Sequence, residues 1–398
     1  MISPLKPYIP INPKEFCTNP YDIISKEEEQ ELKKNTNSLI HLLLPNGEGD
    51  QIYRNAATAY SNFKKIEIIE KVNNPSIFIY RQESTNFSHQ GLIVGVALQD
   101  YENGTIVRHE HTREKPLRDR TNHIAASKVA AGLVWTVFEA NKKINSLVEG
   151  IEKKEPIFDF TKYGYRHLLW QETDIKVIKK LTDLFKDKKI YIADGHHRAA
   201  SAAEYRKMKL QKQDRNKELK APWEYLLCYV ASDDQIRILP YNRVIKKLSL
   251  EQKSFLEKLE KDFEIIPMKQ AFNPEKKNVI ACCLKGNWYK LIVKNKKFEN
   301  QKDSLDVAIL QNYILKPILN IVDIRSDENI FFVGGIQDPK KMEKYVTEKG
   351  NDLFFNLYPV DIKDLEIIAN KGEVMPPKST WFDPKVLSGL ILHDLEEN

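Results

Sequence analysis

The segment Lys189-Ile190-Tyr191-Ile192-Ala193 runs directly into Asp194-Gly195-His196-His197-Arg198 and then into Ala199-Ala200-Ser201-Ala202-Ala203, and this junction constrains the fold more than any other stretch of the 398-residue chain. The first five residues are an apolar run too short for a helix and bounded by an acid and a glycine, so they read as a buried strand. The alanines favour a helix and, having almost no side chain, let it lie close on a sheet. A strand that yields to a helix across one glycine predicts a mixed α/β (α+β) architecture. The backbone N–H groups that open such a helix favour an anion, and Gly195 has no Cβ to hold a bulky anion off the backbone. Phosphate is the anion this predicts.

With 41% hydrophobic residues the chain is long enough for two or three compact units with cores of their own. The net charge is +6, but lysines alternate with acids instead of forming one block, which argues against a basic tail for nucleic acid. Cys17, Cys228, Cys282 and Cys283 have no CxxC spacing, so neither disulfides nor structural zinc are expected. Residues 1–7 lack a hydrophobic signal core and no apolar run approaches membrane-spanning length, so the expected location is cytoplasmic.

Helix and strand signals interleave along the chain. Ser25-Lys26-Glu27-Glu28 has capping-box spacing and opens a charged helix. Ile40-His41-Leu42-Leu43-Leu44 predicts a strand, and 53–63 a helix with Tyr53, Ala56, Ala57, Tyr60 and Phe63 on one face. Strands follow at 76–81 and 91–98, a buried helix at 125–139, a hairpin at 158–170 and a helix at 175–185. Residues 206–220 are nearly all polar and predict a mobile helix extension or loop. Further strands fall at 225–230, 235–239 and 330–333, with a hairpin about Gly286 and helices from 249, near 307–314 and at 362–370. The expected division is an N-terminal α/β domain at 1–105, a core at 106–240 and a C-terminal α/β domain at 241–398.

Arg108-His109-Glu110-His111-Thr112-Arg113 is the second dense cluster. Extended, it sets His109, His111 and Arg113 on one side and Arg108, Glu110 and Thr112 on the other. Lys115, Arg118, Asp119 and Arg120 continue the charge, and donors converging from a closing loop suit an anion of several oxygens. A solvated loop accounts for one histidine here, and a helix-capping turn accounts for Asp194 and Gly195. Neither accounts for His-x-His among arginines or for His196-His197-Arg198, whose donors must be paired if buried. The four histidines lack the spacing of a helical zinc site, and the arginines among them favour an anion over a metal. A third cluster, Met375-Pro376-Pro377-Lys378-Ser379-Thr380-Trp381, presents an ammonium, two hydroxyls and an indole after two prolines. It is no Walker A loop, and no GxxxxGK[ST], kinase glycine loop or GxGxxG occurs in the chain. Asn19-Pro20-Tyr21-Asp22 reads first as a turn and second as a source of pocket residues.

Four of these strings, PYD at 20–22, RHEHT at 108–112, ADGHHR at 193–198 and MPPKST at 375–380, together resemble a family long catalogued only as a domain of unknown function. They stand in the family's order and span nearly the full chain. The resemblance implies a pyrophosphate-dependent L-serine kinase, with a core distantly similar to the ParB and sulfiredoxin superfamily and additional α/β parts at both ends. Related free-serine kinases use ADP or ATP. The implied reaction carries a phosphoryl group from pyrophosphate to the serine hydroxyl, with Mg²⁺ bridging donor oxygens and Asp194 and Glu110 as its candidate ligands. Under it, Gly195, His196, His197 and Arg198 hold one phosphate, and Arg108, His109, His111 and Arg113 neutralise the transferring group. Lys378, Ser379 and Thr380 close over the donor or grip the serine carboxylate, and Tyr21, Asp22 and Trp381 face the substrate. Asp194 and Glu110 are the candidates to orient or deprotonate the hydroxyl, Asp194 the favoured one, with His197 as a third catalytic group.

A donor that is little more than phosphate must be held through its oxygens, which fits the density of Arg and His. An ATP- or ADP-dependent kinase of serine or another small alcohol is the alternative within enzymes. A ParB-like nucleic-acid regulator predicts a basic helix-turn-helix and a concentrated positive face, neither of which is present. The expected partners are therefore small molecules, with phosphoserine feeding serine or cysteine metabolism, and neither nucleic acid nor membrane.

Overall fold

A computed structural model of the chain describes residues 1–110, 112–212, 221–294, 297–335 and 338–397. They divide into two compact units, Met1–Ile236 with Pro384–Asn398 and Arg237–Asp383. The architecture is mixed α/β, as the junction at 189–203 requires. The border expected near 240 falls between Ile236 and Arg237, but no border falls near 105 and the second unit ends at Asp383. Strands on both sides of 105 belong to one sheet, and the chain returns to the first unit for its last residues.

The sheet of the first unit has the order Ile106–Val107, Ile190–Asp194, Val134–Phe138, Tyr225–Ser232, Ser88–Ala97, Ile77–Glu83, Tyr165–Glu172 and Phe158–Lys162, with Ile2–Ser3 also paired to Ser88–Ala97. Ile190–Asp194 is parallel to Ile106–Val107, so the two strands that lead into the two charged clusters run side by side in one direction. Ile190 and Ile192 are fully buried, and Ala199, Ala200 and Ala203 bury the following helix, His196–Lys212, in the same core. The small alanines allow that close approach. The last segment of the chain is fastened here as well: His393–Asp394 pairs with Val129–Ala130, and Asp394 accepts from the Tyr60 hydroxyl at 2.9 Å.

Several local expectations hold. Ser25 caps its helix by accepting from the Glu28 N–H, the hairpin forms at Phe158–Lys162 and Tyr165–Glu172, and Ala56, Tyr60 and Phe63 are buried. Two do not. Ile40–Leu43 is a single helical turn, entered through the Ser38 hydroxyl, which accepts from the Ile40 N–H. Its leucines are not β-branched, and a short apolar run has no periodicity with which to separate strand from helix. In place of a helix at 125–139, the helix is Glu114–Ser127, closed by Lys128 at φ +58, and Val134–Phe138 is a central strand. That strand is buried along its whole length, Thr136 included, so it lacks the in-and-out alternation of a half-exposed strand. The polar tract after Arg206 is helical as far as Lys212, and 213–220 lies outside the described residues.

The second unit is built on a sheet in the order Phe263–Met268, Asn287–Val293, Val279–Leu284, Leu353–Asn356, Arg237–Ile245 and Ile330–Gly334. Thr380–Asp383 pairs with the first half of Arg237–Ile245. The helix expected from 249 is Gln252–Leu259, and Phe263 opens the strand that follows it. No helix among the described residues is long and apolar enough to cross a membrane.

Candidate functional site

Parallel pairing of Ile106–Val107 with Ile190–Asp194 brings the two clusters together where both strands end. Past Val107 the side chains alternate: Arg108 is exposed and packs over the Tyr101 ring at 4.9 Å, His109 is buried, and Glu110 is exposed. His109 then meets His196, edge to face, with ring centroids 4.5 Å apart. Glu110 Oε2 lies 3.8 Å from His196 Nδ1. The Arg113 N–H donates to His197 Nε2 at 3.2 Å, so that nitrogen is unprotonated and the loop is tied to the helix start. His111 lies outside the described residues.

Arg198 is the anchor of the motif. Its Nη1 donates to the Leu133 carbonyl and its Nη2 to Asp194 Oδ2 at 3.1 Å. Burial opposes its charge, but Asp194, Asp22 and Tyr21 outweigh burial and hold the guanidinium above its ordinary range. Gly195 has φ +95, and a Cβ on it would stand 3.0 Å from the Arg198 guanidinium carbon. The Arg198 guanidinium therefore lies where a side chain on this residue would begin. Gly132 accommodates the same side chain, with a built Cβ 3.2 Å from Arg198 Cδ.

Sequence reasoning missed Lys385, whose Nζ stands 3.6 Å from Asp194 Oδ2. Its carbonyl accepts from Gln82 Nε2 at 3.2 Å, and Gln82 Oε1 in turn faces His89 Nε2 at 2.9 Å. No local pattern could have revealed this lysine, because it reaches the site only through the return of the last segment to the first unit.

The two buried histidines are neutral. Burial pushes His109 down to about 4, against the opposing pull of the Ile192 backbone and Asp194. Burial, aided by His109, pushes His196 well below its ordinary value. Among the described residues, His109 Nδ1 and His196 Nε2 have no hydrogen-bond partner. The pair thus offers hydrogen bonds and not charge, in contrast to the charge-neutralising role expected of His109. The positive charge comes from Arg198, Lys385 and the exposed Arg108 and Arg113.

Tyr21, a turn residue on first reading, sits below the Arg120 guanidinium at 4.6 Å, and burial raises its hydroxyl against the influence of Arg198. Tyr21, Arg120 and Arg198 border a cavity of about 70 Å³ whose other walls, including Leu42, Ala131 and Trp223, are mainly apolar. Lys378, Ser379, Thr380 and Trp381 belong to the second unit. There the Lys378 ammonium lies over the Tyr241 ring at 5.2 Å, and the Ser379 hydroxyl donates to the Pro376 carbonyl.

A free serine kinase in complex with AMP is similar to this chain at 16% identity, over 73% of this chain and 86% of that one, with a TM-score of 0.36. A conserved hypothetical protein from Pyrococcus furiosus is similar at 17% identity over 75% and 95%, with a TM-score of 0.35. SbnI with a C-terminal truncation from Staphylococcus aureus is similar at 11% identity over 74% and 85%, with a TM-score of 0.37. Scores this low carry no argument about chemistry. No curated protein sequence matches the chain. The family model described as a protein of unknown function (DUF1015) matches residues 5–308, which take in Tyr21 and both clusters of the first unit and stop short of 375–380. The chain belongs to the DUF1015 family.

Proposed function

We propose that the chain is a small-molecule kinase that transfers a phosphoryl group from inorganic pyrophosphate to the hydroxyl of free L-serine. The observation that carries this reading is the meeting of Asp194, two cations and a neutral histidine pair at the first turn of the helix His196–Lys212. A helix N-terminus and fixed cations stabilise the charge on a transferring phosphoryl group, while neutral imidazoles donate or accept hydrogen bonds without repelling the cations. The serine oxygen attacks one phosphorus, a new P–O bond forms, the bridging P–O bond breaks, and orthophosphate departs. The hydroxyl proton passes to a carboxylate, and Asp194, held by Arg198 and Lys385, is the group assigned to orient that hydroxyl. Lys378, Ser379, Thr380 and Trp381 are assigned to the anionic ends of the substrates, and Tyr21 and Asp22 to the acceptor side.

Magnesium, when bound with pyrophosphate, neutralises its oxygens. Glu110, whose side chain is 45% exposed, is the carboxylate suited to hold it, since Asp194 Oδ2 already faces two cations. Among the described residues no group of three or more His, Cys, Asp and Glu side chains is arranged to hold a metal.

One observation favours a second reading. Bare pyrophosphate and serine leave the apolar cavity beside Arg198 unused, whereas the base of ATP or ADP would occupy such a space. Steady-state kinetics with L-serine and each donor separates the two. A kcat/KM for pyrophosphate at least tenfold above those for ATP and ADP supports the first reading, and the reverse order supports the second. Phosphoserine from none of the three rejects both.

A further inference from the structure

The second unit buries a full positive charge among neutral partners. Arg243 lies on the strand Arg237–Ile245 and is 1% exposed. Its Nη1 donates to the Tyr241 carbonyl and its Nη2 to the Pro377 carbonyl at 3.3 Å, and its guanidinium packs over the Phe332 ring at 5.2 Å. Among the described residues its Nε has no acceptor. Burial pushes Arg243 down to about 9, which measures how strongly the surroundings oppose the charge. Buried cations are ordinarily matched by an acid. Here two carbonyls and an aromatic ring stand in the acid's place.

One carbonyl belongs to a strand residue, Tyr241, and the other to a turn at Pro377 and Lys378. Pro377 precedes Lys378, which holds φ +56, a left-handed conformation unfavourable for a residue with a Cβ. The Lys378 ammonium lies over the Tyr241 ring, with Nζ 3.5 Å from the Tyr241 hydroxyl, and Trp381 packs edge-on against the same ring at 5.3 Å. A buried guanidinium with neutral partners and a left-handed lysine are separately unfavourable, and they meet at the same four residues. Arg243 ties the turn to the strand through the Pro377 and Tyr241 carbonyls, and Lys378 reaches from the turn to the Tyr241 hydroxyl.

We propose that the second unit carries an oxyanion site, in which Lys378 and the Tyr241 hydroxyl contact a phosphate or carboxylate group and Arg243 is the positioning residue that holds their turn and leaves it net positive. The class of ligand follows from the donors: an ammonium and a hydroxyl bind a compact oxyanion, and the Arg243 guanidinium, bonded to the same turn and strand, adds positive charge there. Assigning this anion to the proposed reaction rests on the kinase reading, whereas the site itself does not.

Lysine acylation of the full chain, read by peptide mass spectrometry with added inorganic phosphate, pyrophosphate or L-serine, tests it. At least one of the three is expected to slow labelling of Lys378 while leaving Lys253, 87% exposed on a helix surface, unchanged. The arm that protects identifies the source of the oxyanion. Arg243→Met should raise the half-protecting concentration about tenfold with circular dichroism unchanged, and Arg243→Lys should recover part of the loss. Tyr241→Phe, which keeps the ring, should raise it by a smaller factor and carries the test if Arg243→Met does not fold. No protection of Lys378 in the wild type overturns the site, and equal half-protecting concentrations in the wild type and a folded Arg243→Met overturn the role of Arg243. Phosphoserine formation does not enter the readout, so a failed kinase assay leaves protection standing, and an active kinase without protection rejects this site alone.

Discussion

His109 stands edge-on to His196 with their ring centroids 4.5 Å apart, and burial keeps both imidazoles neutral at the end of the strand pair that joins the two charged clusters. An NMR titration of the imidazoles checks this directly: His109 should remain neutral from pH 8 down to pH 5. A midpoint near the ordinary histidine value of about 6.5 would contradict the assignment of hydrogen bonding without charge. Removing the ring in His196→Ala should lower turnover by about a hundredfold while KM for the donor moves less.

Gly195 is required by its own backbone and by its neighbour. At φ +95, with the Arg198 guanidinium where a Cβ would go, Gly195→Ala should lower stability by about 1–3 kcal/mol, read from urea unfolding. An unchanged midpoint would show that Arg198 can move aside and that the packing is not what selects glycine.

Stability should fall on mild acidification. Burial pushes His123 and His393 each down to about 4, so both are neutral in the folded chain, while in the unfolded chain they take a proton as pH drops through about 6.5. Their folded values are depressed, so the stability they confer is present above about pH 6.5 and is lost as pH falls toward 4, by about 1.4 kcal/mol per pH unit for each histidine. Urea unfolding at pH 7 and pH 5 should show the loss. His393→Gln, which retains an N–H for the Pro222 carbonyl, should show a smaller one. Equal wild-type stability at the two pH values would contradict the account.

Asp194→Asn keeps the side-chain shape but removes the charge that faces Arg198 and Lys385. The expected result is a fall in kcat of about a hundredfold or more with KM changed only severalfold. A raised KM with kcat preserved would shift the orienting role to Glu110.

The strand-to-helix junction was legible because apolar run, glycine and alanine tract all specify the same local geometry, and the alanines that predicted close packing are those buried against the sheet. The meeting of the 108–113 and 193–198 clusters was legible only as chemistry. Their contact depends on Ile106–Val107 pairing beside Ile190–Asp194, a long-range register that no local pattern encodes. The segment 125–139 misled because the fully buried strand Val134–Phe138 lacks the alternation that marks strands and follows an alanine-containing stretch whose start, Ala125 and Ala126, is the end of a helix. Gly195 was legible as a glycine-requiring position, but the neighbour that a Cβ would meet, Arg198, is set by tertiary packing. Lys385 lay beyond inference because its partner is 191 positions earlier and the segment carrying it rejoins the first unit after an entire second one.

The most direct test of the central claim is a ³¹P NMR time course of the wild-type chain with L-serine, Mg²⁺ and pyrophosphate, run beside Asp194→Asn. The account predicts that pyrophosphate is consumed as phosphoserine and orthophosphate appear in equal amounts, and that the variant slows all three changes together. Orthophosphate without phosphoserine, or phosphoserine formed at the wild-type rate by Asp194→Asn, would contradict it.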